Sequence, residues 1–338
     1  MSSSDFGFVL HGGAGDIAKT IDASVYYNPL GEIVRKTYEY AREGLQHSDR
    51  TAVDVAEYAV KLFEDERTFN AGCGSVYTEK ETHEMEASIM DGSTLHSGAV
   101  AMVKSIKNPV ALARVVMEKT SHLLMVGEGA ESLADVHDIE KVSQEYFHSK
   151  KRMDQLEMAR NTAGVFNDHD LLQPETEGGR DDSTGTVGCV CFYKGHIAAA
   201  TSTGGLTNKL CGRVGDSPIC GVGNYANDAT CAVSCTGKGE QFMRYMAAYD
   251  VSCRMSYAGK SLTEAVRETV HTVLPPNTGG MIAIDCTGQM EMEFNSSGMI
   301  RAWCKGNGEG AMGLWEDTIP LDMEGHSNHS TIAVDNTQ

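Results

Sequence analysis

The sequence predicts an α+β fold, a single layered domain of sheets covered by helices, and three observations lead there. Short apolar or alternating runs, residues 6–10 and 187–193 among them, have the period and length of strands. Apolar positions at helical spacing come in paired segments, 30–46 with 51–65 and 239–257 with 261–273. Blocks of strands and helices recur once in each half of the chain, which the strict βα alternation of a doubly wound sheet does not give.

Residues 6–10 (FGFVL) form an apolar strand running into HGGAG (11–15), where glycines let backbone N–H groups approach another group closely. Segment 30–46 sets Val34, Tyr38, Ala41 and Leu45 on one helical face. Segment 51–65 does the same with Val53, Ala56, Val60 and Phe63, opened by the cap-forming Ser48, Asp49 and Thr51. Segments 75–92 and 95–103 suit strands joined by turns. Asn108-Pro109 opens a helix with proline in the first turn, where its missing N–H costs nothing, and a helical pattern runs over 127–163. Residues 164–185 lose all periodicity and read as an exposed, mobile linker. Strands are then expected near 187–193, 196–202, 231–235, 279–285, 290–294, 299–304 and 329–334, with a Gly-rich stretch over 203–230.

A chain of 338 residues buries a sizeable core as one large domain or two ordinary ones. Its formal net charge of -19 repels phosphate backbones and anionic membranes, so neither nucleic acid nor a membrane is expected as partner. No apolar run approaches the roughly 18–20 residues of a membrane span, and MSSSDFGFVLHGGAG lacks a basic n-region, so a soluble, cytoplasmic protein is expected. The 10 cysteines include no CxxC pair. Cys189, Cys191, Cys211, Cys231, Cys235 and Cys286 stand among apolar or strand-like residues, which suggests buried, reduced thiols.

No GxxxxGK[ST], HExxH or GxSxG occurs, and neither HGGAG nor GVGNYA spells a dinucleotide loop, so no organic cofactor is expected. The 12 histidines offer no pair at ligand spacing, and His326 and His329 lie in a polar C-terminal stretch that suits solvated side chains. Three threonines stand apart: Thr186, Thr203 and Thr236, each at or next to a glycine at a strand end, where a hydroxyl is open to a cleft. Arg213 and Asp216, three residues apart in a turn-like run, can face one space. A guanidinium beside a carboxylate suits the carboxylate and ammonium of an α-amino acid, or else makes a local surface ion pair.

The run from Gly185, GTVGCVCFYKGHIAAATSTGGLTNKLCGRVGDSPICGVGNYANDATCAVSCTGKGE, resembles the plant-type L-asparaginase/isoaspartyl peptidase family of N-terminal nucleophile hydrolases. So do HGGAG, FNAGCGSVYTEKETHEMEASIMDG, NPVALARVVMEKT and FNSSGMIRA; only 140–184 and about the last two dozen residues fall outside the resemblance. The resemblance implies a four-layer αββα sandwich and a precursor that cuts itself between Gly185 and Thr186, giving an α chain, 1–185, and a β chain, 186–338. Thr186 then carries both a nucleophile and a base, because a threonine hydroxyl needs a proton acceptor and an α-amine with an ordinary pKa of about 7.7–8.0 is half neutral near working pH. By the same resemblance Thr203 orients Thr186, Thr236 and Gly237 form the oxyanion hole, and Asn70 positions water or substrate. Arg213 clamps an α-carboxylate, Asp216 pairs with an α-ammonium, and Gly239 lines the pocket. The backbone carbonyls of Phe63, Glu64, Glu66, Phe69, Ala71 and Cys73 hold a sodium ion, in a loop where the family commonly has proline and this chain has Arg67-Thr68. The implied activity is hydrolysis of L-asparagine and of β-aspartyl dipeptides by a dimer of αβ units. The alternatives are a glycosylasparaginase-like enzyme or related threonine protease, both disfavoured by Gly185 where those relatives place aspartate, and an uncleaved, inactive binding protein.

Overall fold

Two sheets carry the fold in the computed structural model, which describes residues 5–47, 49–161 and 185–323. In chain order the first part comprises β1 (Phe6–Gly15), α1 (Ser24–His47), α2 (Ala52–Glu64), β2 (Met85–Asp91), β3 (Ser97–Val103), α3 (Pro109–Lys119), β4 (Leu124–Val126), α4 (Gly127–Val136) and α5 (Lys150–Asn161). The second comprises β5 (Val187–Tyr193), β6 (His196–Thr203), β7 (Asn224–Ala226), β8 (Cys231–Gly237), α6 (Gly239–Tyr245), α7 (Ala247–Ala258) and α8 (Leu262–Glu268). β9 (Gly279–Asp285), β10 (Met290–Phe294), β11 (Gly298–Lys305), β12 (Glu309–Gly313) and β13 (Thr318–Asp322) follow. The larger sheet runs β13-β12-β11-β1-β5-β6-β2-β3-β4 and the smaller β10-β9-β8-β7; of all the pairs only β3 with β4 is parallel.

Strand alternation sorts the side chains into two cores. Val187, Cys189, Cys191 and Tyr193 of β5 pack with residues of α1 and α2, whereas Val190 and Phe192 pack with residues of β8, β9, α7 and α8. In β8, Ser234 and Thr236 reach residues of β1 in the other sheet, so Cys231, Val233 and Cys235 face the opposite way. Successive residues of one strand therefore serve a helix-facing core and a sheet-facing interior; in β6, Thr201 turns to Ser234 in the latter, whereas Ser202 turns to Glu64 of α2.

Most expected elements form. Thr51 caps α2 in a capping box with Asp54, burying Val53, Ala56, Val60 and Phe63 as the periodicity requires. α1 starts upstream of residue 30 and runs through Pro29, because burial of Tyr26, Tyr27 and Leu30 outweighs the hydrogen bond a proline gives up. The helical pattern over 127–163 is divided between α4 and α5, with Asp138 at a left-handed φ of 54° just past the end of α4. Met246, at φ 51°, splits the helix expected over 239–257. The segment HGGAG is no loop: β1 continues through it with a bulge between His11 and Gly13. Gly13 takes φ 130°, closed to side chains, and a Cβ at Gly12 would come within 2.6 Å of the Phe69 ring.

β4 and β7, three residues each, are too short for a periodic signal, and β12 and β13 carry glycine and proline at the sheet edge. The strand expected at 329–334, the linker short of Gly185, Ser48, and His326 with His329 lie outside the described residues. All 10 cysteines are free. Cys286 is exposed and Cys211 half-buried, contrary to the expectation of burial, because each sits in a turn and not in a strand. Among the described residues no helix is long and apolar enough to cross a membrane.

Candidate active site

β1, β5, β6 and β8 converge on one cleft, lined by Ala14, Gly185, Thr186, Thr203, Arg213, Asp216 and Gly237 among others. Thr186 stands directly before β5, largely buried, and its hydroxyl donates to Thr203 Oγ1 at 3.2 Å. The register that pairs Val187 with Ser202 makes the two threonines neighbours across β5 and β6. Thr203 ends β6, and its oxygen also accepts the Gly205 N–H at 3.0 Å.

Beneath Thr186 lies a polar relay whose direction the chemistry fixes. A carbonyl can only accept, so His11 Nδ1 donates to Thr186 O at 2.9 Å and Nε2 accepts from Ser234 Oγ at 2.7 Å. Ser234 in turn accepts from Thr201 Oγ1 at 2.7 Å, and Thr201 from Asn224 Nδ2 at 2.9 Å. Burial drives the pKa of His11 down to about 3, with the Thr186 carbonyl pulling the other way, so the ring is neutral. A Cβ at Gly188 would lie 2.1 Å from Ser234 Oγ and 2.3 Å from His11 Nε2, so this strand position is glycine by necessity.

Thr236 is the penultimate residue of β8, and its hydroxyl oxygen accepts the Ala14 N–H at 3.2 Å, leaving its own proton to donate. Gly237 follows at φ 137° and packs backbone to backbone on Gly279, at φ 144°; a Cβ at Gly237 would come within 2.2 Å of Thr278 O. Across the cleft, Arg213 Nε and one Nη each donate to Glu240 at 3.0 Å. That side-on fork leaves the other Nη and the remaining hydrogen of the first, an end-on fork, for a second anion. Asp216 is buried, and its Oδ2 finds no hydrogen bond among the described residues. Burial chiefly pushes its pKa up to about 7, against the pull of Arg213 and with the carboxylates of Glu86 and Glu240 adding to the rise. A Cβ at Gly239 would lie 2.6 Å from Asp216 Oδ1 and 2.9 Å from Arg213 Nη2, so the bare glycine faces the pair.

Asn70 stands behind the cleft. Its Nδ2 donates to Gly205 O at 2.8 Å, its Oδ1 accepts from Val76 N at 3.1 Å, and its carbonyl takes the Gly204 N–H at 3.0 Å. It braces the turn after Thr203. The loop around it folds tightly on its own carbonyls: a Cβ at Gly72 would lie 2.2 Å from Glu64 O, and one at Gly74 2.0 Å from Phe69 O. Of the carbonyls that the resemblance assigns to sodium, Phe63 O accepts the Glu66 N–H at 3.1 Å, Phe69 O the Ala71 N–H at 3.0 Å and Ala71 O the Gly74 N–H at 3.0 Å. Arg67, of the Arg67-Thr68 pair, reaches out to Tyr146 O at 2.9 Å and His148 O at 3.2 Å, and touches Cys73 O only at 3.4 Å. No group of three or more histidine, cysteine, aspartate or glutamate side chains suited to a metal occurs among the described residues.

The cleft thus joins Thr186, Thr203, Arg213, Asp216 and Gly237, while Thr236 and Gly239 sit against its wall. The model of the asparaginase family matches residues 4–314. The chain belongs to the asparaginase family. Isoaspartyl peptidase of Escherichia coli K12 is 46% identical over 301 residues, 87% of this chain and 91% of the relative. The human isoaspartyl peptidase/L-asparaginase is 37% identical across 88% of this chain and 92% of its own, and the plant-type L-asparaginase of Pyrococcus furiosus is 35% identical across 88% and 95%.

Within this asparaginase-family site, sequence reasoning missed His11, Ser234, Thr201, Asn224 and Glu240. The available signals were a histidine inside an apolar strand and a glycine, Gly188, interrupting a strand of otherwise larger residues.

Proposed function

We propose that this chain is a self-processed threonine amidohydrolase that hydrolyses L-asparagine to L-aspartate and ammonia and cleaves β-aspartyl dipeptides. The observation that carries the reading is the shared cleft: the Thr186 hydroxyl, 3.2 Å from Thr203 Oγ1, opens onto the same space as Arg213 and Asp216.

In processing, Thr186 Oγ1 attacks the Gly185 carbonyl carbon and the peptide C–N bond breaks, leaving an ester; water then splits the ester, freeing the Gly185 carboxylate and the Thr186 α-amine. The chain becomes 1–185 and 186–338. In turnover the neutral α-amine takes the hydroxyl proton as Oγ1 attacks the side-chain amide carbon of the substrate. The Thr236 hydroxyl and the Gly237 N–H stabilise the oxyanion, an effect of about 3–4 kcal/mol per donor where such donors have been removed. The proton passes to the leaving amine, and water hydrolyses the aspartyl ester. The end-on fork of Arg213 holds the α-carboxylate and Asp216 the α-ammonium, while Asn70 holds the turn that fixes Thr203.

The same reading carries a four-layer αββα sandwich of the N-terminal nucleophile hydrolase type, supported by helices over one face of the larger sheet and beyond the smaller one. A sodium ion on the carbonyls of Phe63, Glu64, Glu66, Phe69, Ala71 and Cys73 would supply charge that stiffens the loop bearing Asn70. A dimer of αβ units in the cytoplasm completes it.

A four-substrate assay tests the proposal. L-asparagine and a β-aspartyl dipeptide release aspartate, whereas N-acetylasparagine and an α-aspartyl peptide do not, because each lacks a charge that a buried partner expects. Turnover of N-acetylasparagine equal to that of L-asparagine contradicts the role given to Asp216.

A further inference from the structure

Lys209 is the one lysine among the described residues with no exposed surface, and nothing in the proposed chemistry uses it. Its Nζ donates to Glu84 O at 2.6 Å and lies 3.8 Å from Glu86 Oε1. That oxygen accepts no hydrogen bond among the described residues, while Glu86 Oε2 accepts the Gly215 N–H at 3.0 Å. Glu84, just before β2, accepts the Gly212 N–H at 2.8 Å and pairs with the half-exposed Lys104 at 3.1 Å. The turn bearing Arg213 and Asp216 is therefore fastened to one segment, 84–86, at Lys209, Gly212 and Gly215. The same segment reaches the nucleophile side, since Glu86 is the β-partner of Thr203. Lys209 also abuts the turn after Thr203: a Cβ at Gly205 would lie 2.6 Å from its Nζ.

We propose that the buried Lys209–Glu86 pair is a positioning strut for the substrate clamp, setting the height of the 212–216 turn above the nucleophile and so governing affinity for the α-amino acid end of the substrate. The proposal rests on the reading of Arg213 and Asp216 as that clamp. Two buried charges are held here at the expense of their hydration, and removing one partner leaves the other uncompensated. Burial, the larger effect, pulls the pKa of Lys209 down, and the facing Glu86 carboxylate pushes it back up. With Lys209 gone, Glu86 loses its ion-pair partner beside Gly215 and only the more distant Arg213 offsets its charge, so the turn moves to relieve the imbalance. A strut of this kind acts on ground-state binding more than on the chemical step, because it touches neither Thr186 nor the oxyanion donors.

The test uses processed enzyme carrying Lys209→Met, Glu86→Gln or both, assayed on L-asparagine. Each single variant should raise KM about tenfold or more, the scale of breaking a buried pair, and keep kcat within about threefold of wild type. The double variant, with neither charge left, should have a KM nearer to wild type than Lys209→Met does, a coupling that a merely structural role would not produce. If Lys209→Met fails to fold, Glu86→Gln, in which the amide oxygen can still accept from Gly215, and the double variant decide the matter. Unchanged KM in Glu86→Gln, loss of kcat at constant KM, or penalties that simply multiply in the double variant overturn the strut. Arg213→Ala, run alongside, separates the two failures: unchanged KM there sinks the clamp itself, whereas raised KM there with none in Glu86→Gln sinks only the strut.

Discussion

Asp216 is the residue on which the pH behaviour of this site turns. In the proposed mechanism its carboxyl, raised to about 7 chiefly by burial, must be ionised to pair with an α-ammonium, and it is mostly neutral at pH 6. In the proposed mechanism the Thr186 α-amine must also lose its proton to act as base, with an ordinary pKa of about 7.7–8.0. Both groups act deprotonated, so log kcat/KM on L-asparagine should steepen on the acid side towards about two units per pH unit, since two protons must leave. Asp216→Asn, measured on its residual activity, should reduce the slope to about one by the same reasoning. A wild-type slope of one throughout would show that one of these groups does not titrate in binding or chemistry. At this scale the sequence was informative where a hydroxyl sits beside a glycine at a strand end, as with Thr186, Thr203 and Thr236. His11, Ser234 and Asn224 were hidden because their partners lie far away in sequence, 175 residues for His11 and Thr186, so no local spacing announces them.

At the scale of elements, Glu64 ties three of them together. It closes α2, accepts from Ser202 of β6 at 2.7 Å, and accepts from Val110 at the start of α3 at 2.9 Å. Burial pushes its pKa from 4.5 up to about 8, with those hydrogen bonds pulling the other way. The folded state therefore holds a proton that the unfolded chain releases between these values, and the contribution of Glu64 to stability falls as pH rises through that window. Glu64→Gln removes the penalty. Its melting temperature should exceed wild type by several degrees at pH 8, at about 1–2 °C per kcal/mol for a chain of 338 residues, with the advantage shrinking towards pH 5. An equal difference at both pH values would mean that Glu64 ionises alike in both states. Element types were legible where periodicity was long, as in α2 and β5. The breaks at Asp138 and Met246 were not, because a left-handed non-glycine residue is imposed by tertiary packing and leaves no mark in the apolar pattern.

For the whole molecule, alternation within β5 and β6 explains how one sheet can supply a core and a reactive surface at once. Odd positions of β5 build the helix-facing core, while Gly188 clears space on the other face for the relay from Asn224 to Thr186. The sequence revealed the blocks of strands and helices and the cleft residues they deliver, but not that, among the described residues, nine strands join in one sheet and four in the other, an arrangement set by long-range pairing. The account centres on Thr186 as a nucleophile released by cleavage of the chain, and N-terminal sequencing of purified, active protein tests it most directly. A second N-terminus reading Thr186-Val187-Gly188-Cys189 is the predicted result; active protein with no N-terminus at Thr186 would contradict it.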